Sequence, residues 1–174
     1  MNNINKIATK FYFSLLKAAT DGIRTVFKVA PMEYPSSVVR QLLINTTGVP
    51  TFSISLSDNK YFLTTWERWG EIIDFDLIDQ LVYYYDKFDC DNFAFYFASR
   101  AAGLYGLNTG GVAYGSIYDK NTNELLGRHA FNIIVTTNDI RAYEPMTDED
   151  CVIEAGKPIV IGGWRYVCDW ILLF

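Results

Sequence analysis

The chain has 174 residues, of which 50% are hydrophobic, 20% charged and 16% aromatic, with a formal net charge of −5. This is a globular composition, long enough to bury a core in one domain over residues 1–174, and its acidity excludes a general nucleic-acid binder. No window of 18 apolar residues occurs, so no membrane span is expected.

Ile4, Ile7, Ala8, Phe11, Leu15, Ala18 and Ala19 repeat at helical spacing. They predict an amphipathic helix or helix pair over 4–29, kinked near Gly22, packed as a structural element and ending before Pro31. The apolar run at 11–16 is short and flanked by Lys10 and Lys17, so it is not read as a signal peptide. Pro35-Ser36-Ser37 starts a second helix, Val38 to Asn45. Residues 1–50 thus form a helical N-terminal segment and residues 51–174 the core. Phe52–Leu56 and Tyr61–Thr65, separated by Ser57-Asp58-Asn59-Lys60, read as a hairpin. A helix is expected over Phe75–Tyr85 and another from Cys90 to about Ala102, stopped by Gly103. Strands follow over 111–118, 125–136, 140–144, 158–161 and 164–174, with the Asp119–Asn123 turn after the first. Helices first and strands afterwards predict an α+β domain, N-terminal helices packed on a C-terminal antiparallel sheet.

Three cysteines, Cys90, Cys151 and Cys168, leave at least one thiol unpaired and lack zinc-ligand spacing. A reduced, intracellular, soluble setting is the simpler expectation. Cys168 reads as a small core residue, and Cys151 follows the acidic stretch Asp148-Glu149-Asp150. Cys90 differs, because Asp89 is an N-cap candidate that places the thiol at the first helical position. There the free N–H groups and the positive end of the helix dipole favour a thiolate. Asp89 and Asp91 oppose this by like charge, which motivates a compensating imidazolium or a divalent cation on those carboxylates.

His129 is the only histidine. If Thr137-Asn138 is the tip of an even-length hairpin loop, facing residues sum to 275 and residue 131 opposes 144. His129 and Glu144 are then diagonal neighbours on one face, within reach of a side-chain hydrogen bond. Cys90, His129 and Glu144 therefore read as nucleophile, general base and orienting acid. Trp66 and Trp69, and Tyr83 to Tyr85, are candidates for a substrate cleft, with core packing the alternative. Gln80 or Asn132 could supply a second oxyanion donor; spacing does not choose between them.

The Asp-Cys-Asp-Asn-Phe-Ala helix start and the Arg-His-Ala-Phe-Asn-Ile strand resemble a papain-like cysteine peptidase. More narrowly, residues 60–174 are similar to the C-terminal protease domain of the mushroom agglutinin family of chimeric lectins. The resemblance implies a papain-like fold, a peptide or protein substrate, and calcium dependence with Asp89 and Asp91 as ligands and Asn92 as a weaker one. The β-trefoil lectin module of that family has no counterpart here, so carbohydrate binding is not implied. The rival expectation is a catalytically silent version of the fold, serving as a structural or binding component such as part of a virion.

Overall fold

The computed structural model describes residues 3–26 and 30–174, with side chains from 10 to 25 and from 30 onward. Four α-helices, α1 (Asn3–Val26), α2 (Ser36–Thr47), α3 (Trp66–Asp76) and α4 (Cys90–Arg100), accompany nine strands. The strands are β1 (Met32–Pro35), β2 (Ile54–Leu56), β3 (Lys60–Leu63), β4 (Gly110–Asp119), β5 (Leu125–Val135), β6 (Ile140–Glu144), β7 (Glu149–Val152), β8 (Ile159–Ile161) and β9 (Trp164–Leu173). The larger sheet runs β2-β9-β4-β5-β6-β7, with β8 also on β9; β1 and β3 form a separate pair. The class is α+β.

Helix ends follow local chemistry. Pro35, at φ −63°, leads into α2, and Gly48, at φ 71°, closes it by donating to the Ile44 carbonyl at 3.1 Å. Thr65 caps α3, which stops where Leu77 turns left-handed at φ 55° and the Asp76 carboxylate accepts the Ile78 N–H at 2.9 Å. This stop replaces the helix expected over 75–85: only a short 3-10 turn, Ile78–Gln80, follows. The α4 helix passes into a π turn, Ala101–Tyr105, so Gly106 at φ 71°, rather than Gly103, is the terminal glycine.

The sheet is mixed, not purely antiparallel, because β2 lies parallel to the end of β9. The expected hairpin of 52–56 with 61–65 does not form for the same reason. The apolar segment Ile54–Leu56 completes the edge of β9, and β3 pairs instead with β1. Tyr61 anchors the link, with its hydroxyl donating to the Leu173 carbonyl and accepting from the Asp58 N–H, each at 3.2 Å. β7, part of the acidic stretch in the sequence, joins the sheet beside β6, where Arg141 pairs with Asp150 at 2.5 Å.

Apolar side chains cover both sheet faces. One core gathers Val39, Leu43, Phe131, Ile133, Val135 and Ile171; the other places Trp69, Phe93, Phe97, Ile134 and Tyr143 beneath α3 and α4. Small residues bring α4 close: Ala94 and Ala98 pack on Val112 and Ala130. Asn132, fully buried, donates to the carbonyls of Ala94 and Gly111, both at 2.9 Å, and so ties helix to sheet.

The expectation that the N-terminal helix is packed is met only near its far end, where Ile23 packs against the core beneath α3 and α4. Phe11 and Leu16 keep more than half their surface, at 62% and 63%. The helix is continuous through Gly22, and the part expected at 27–29 lies outside the described residues. Its far end is fixed to the π turn, where Arg24 donates to the Gly103 carbonyl at 2.5 Å.

Gly115 lies opposite His129, next to a bulge in the β4–β9 ladder. A Cβ there would stand 1.7 Å from the Val167 carbonyl oxygen, whereas a Cβ at Gly103 meets nothing within 4 Å. Gly115→Ala is expected to destabilise the fold by about 3 kcal/mol, and Gly103→Ala by well under 1 kcal/mol. Urea denaturation of the two variants against the parent checks the contrast.

Candidate functional site

The sequence around Cys90 builds a helix start. Asp89 is extended and, with Asn92, closes a reciprocal capping box in which the Asp89 N–H donates to the Asn92 side-chain oxygen at 3.2 Å. The Asp89 carboxylate also accepts the Asp86 N–H at 3.2 Å, pinning the preceding turn. Cys90 therefore begins α4, half-buried against Ala94, Val112 and Ala130.

The hairpin register puts His129 within reach. Asn132 faces Tyr143 and Val135 faces Ile140, so residue pairs sum to 275 as expected from the even loop. His129 and Glu144 consequently share a face, and Nε2 stands 2.6 Å from Oε2. Both side chains are buried, and Tyr166 donates its hydroxyl to the same Glu144 oxygen at 3.3 Å. The Cys90 thiol lies close enough to the ring to act on its titration. Burial works against the charged ring, but hydrogen bonding and charge from Cys90 and Glu144 outweigh it and raise the His129 pKa to about 9. The imidazolium is thus the resting form near neutrality, held between a carboxylate and a thiol.

The other two thiols have no such partner. Burial pushes Cys168 up to about 12 and raises Cys151 as well. The structure thus brings Cys90, His129 and Glu144 together and leaves Cys151 and Cys168 packed against the core.

Several expected members are elsewhere. Trp69 is fully buried, 5.8 Å from Phe97, and Trp66 supports the Arg141 guanidinium at 4.3 Å; neither lines a cleft at the thiol. Asn132 spends its amide on two backbone carbonyls, and the exposed Gln80 hydrogen-bonds Asp79, so neither is an oxyanion donor. Asp91 is held above the ordinary carboxylate range, first by a hydrogen bond with Asp89 and then by burial. Among the described residues no group of three or more His, Cys, Asp or Glu side chains is placed to hold a metal ion. Asp89 and Asn92 are engaged in the capping box, and the expected calcium site on Asp89 and Asp91, with Asn92, is not assembled among the described residues.

Two aromatic neighbours of the imidazole, Trp164 and Tyr166, were missed by sequence reasoning. Trp164 meets the His129 ring edge-on at 6.3 Å and Tyr166 does so at 5.8 Å. Both come from β9, 35 and more residues beyond the histidine, and nothing in local spacing marks them. Tyr83 lies close enough to Cys90 and Asp89 for their charge to raise its pKa, although burial is the first cause.

No protein-family model and no curated protein matches the chain. Among solved structures it is similar to a chain of the PSL1a–E64 complex, at TM-score 0.58 and 21% identity over 81% of this chain and 50% of that one. It is also similar to Polyporus squamosus lectin bound to the human-type influenza-binding epitope Neu5Acα2-6Galβ1-4GlcNAc, at TM-score 0.56 and 20% identity, covering 81% and 49%. The chain spans about half the length of these neighbours, and at such identity they share a fold with it. The neighbour named for its activity is a glycan-binding lectin. Against that neighbour the resemblance to a papain-like cysteine peptidase, and the assignment as an enzyme acting on a peptide or protein substrate, do not stand as properties of this chain. No helix of the described residues is long and apolar enough to cross a membrane.

The raised His129 pKa makes stability depend on pH. The ring binds its proton more tightly folded, at about 9, than at the ordinary 6.5, so its contribution is complete below 6.5 and is lost as pH rises through 9. The loss is on the order of 3 kcal/mol. Urea midpoints of the parent are expected to fall between pH 6 and pH 9.5, and His129→Gln is expected to flatten that decline.

Proposed function

We propose that this chain is a binding module whose ligand seats over Cys90 and His129 at the start of α4, walled by Trp164 and Tyr83. The observation that carries this reading is the buried His129–Glu144 contact of 2.6 Å, which presents a fixed imidazolium beside a half-buried thiol. Fixed charge and flanking aromatic faces are what a small polar ligand needs for orientation. The commitment of Asn132 to backbone carbonyls favours holding a ligand over stabilising an oxyanion during turnover. The lectin neighbour supports a binding role and makes glycans the first class to test. Since the match covers half of that lectin, glycan recognition by this half is a proposal in its own right.

The test combines a glycan array with titration calorimetry on the hits. Binding is expected to weaken about tenfold or more in His129→Ala, and to decline as pH passes 9 in the parent. Iodoacetamide is expected to label Cys90 ahead of Cys151 and Cys168, and bound ligand to slow it. Casein cleavage by the parent that disappears in Cys90→Ala would overturn the binding-module reading, as would hits insensitive to both His129→Ala and Trp164→Ala.

A further inference from the structure

The outward face of α1 and a groove on the body are both apolar and both unpartnered. Along α1, Phe11, Leu15 and Ala18 repeat on one side while Lys10, Lys17 and Arg24 lie about a third of a turn away around the axis. Leu15 is 51% exposed and Phe11 more so, and α1 touches its own body chiefly at the π turn. An amphipathic helix with its apolar stripe in water is incomplete as folded.

The groove lies between the segment leading to Cys90 and the outer face of α4. Leu81, Val82, Tyr84, Phe88 and Tyr96 line a cavity of about 450 Å³. Its shape is held by the Tyr84–Phe88 bridge, with 2.8 Å hydrogen bonds between their backbones, and by Phe88 packed 4.8 Å from Phe93. Val82 and Tyr84 remain 62% and 57% exposed. A rigid apolar trough beside an unpaired apolar helix is the helix-in-groove mode of recognition.

Charge selects the occupant. Residues 3–26 carry four basic side chains and one acid, a formal +3, while the rest of the chain holds 11 basic and 19 acidic residues, a formal −8. The groove segment follows that sign: Asp79, Asp86, Asp89 and Asp91 outnumber Lys87 over 79–91. A basic helix is drawn to this acidic body, whereas two such helices repel one another. An anionic lipid surface would attract the helix but repel everything attached to it. We infer that α1 of one copy docks its Phe11–Leu15 face into the Leu81–Tyr96 groove of a second copy, and that reciprocal exchange closes a two-fold dimer. The inference stands apart from the ligand reading, although the docked helix would border the turn that carries Asp89 and Cys90.

Sedimentation velocity on the full chain, over a rising concentration series, provides the test. The parent is expected to reach twice the monomer mass. The double variants Phe11→Asp/Leu15→Asp in the helix and Val82→Asp/Tyr84→Asp in the groove are each expected to weaken dimerisation about tenfold or more. All four positions are exposed, and circular dichroism checks that both variants fold. Mixing the two variants restores one intact helix–groove contact, so a mixed dimer is expected. A parent that stays monomeric overturns the proposal. So does a dimer lost only in the helix variant and not restored by mixing, which would indicate helix-to-helix pairing. Capture of a monomeric parent by phosphatidylserine-rich vesicles would likewise overturn it in favour of lipid.

Discussion

The contact between His129 and Glu144 governs the arrangement of the site. Two ionisable groups are buried together, and each would be costly to bury alone. Their 2.6 Å approach is possible because the β5–β6 register places both on one face, and Tyr166 adds a third hydrogen-bonding group to the same oxygen. The sheet carries this pair, and α4 brings the thiol to it. The small residues of α4 and the two carbonyl bonds of Asn132 fix the helix at the depth that the thiol requires.

Much of this geometry is legible in the chain itself. An even loop at Thr136–Asp139 fixes which side chains share a face, so Glu144 could be assigned to His129 by counting alone. Asp89 announces the start of α4, since an acid before a thiol and an apolar helical repeat is a cap in most contexts. Other features depend on distant partners. The pairing of β2 with β9 joins residues more than a hundred positions apart, and the acidic β7 lies beside β6, whose Arg141 pairs with Asp150. Trp69 reads as a cleft residue by proximity to Cys90 in sequence, yet the turn at Leu77 sends α3 into the core.

The α1 helix shows where a local rule stops. Its periodicity correctly predicts a helix, and the same periodicity led to the expectation that its apolar side is covered. Periodicity specifies that a face needs a partner, not which molecule supplies it. The charge difference between α1 and the remainder of the chain is visible in the sequence but gains meaning only beside an apolar groove of matching character.

The irregularity between β4 and β9 has a consequence for the layout of the last strand. Before it, Tyr166 and Cys168 point toward the core that contains Phe131; after it, Ile171 and Leu173 do. The side that points inward changes from even to odd numbers across Asp169. Strand β9 therefore carries two phases, one serving Glu144 and the other closing the hydrophobic interior. A regular strand with this sequence would turn one half outward, so the extra residue at Asp169 is what lets both halves face the same interior.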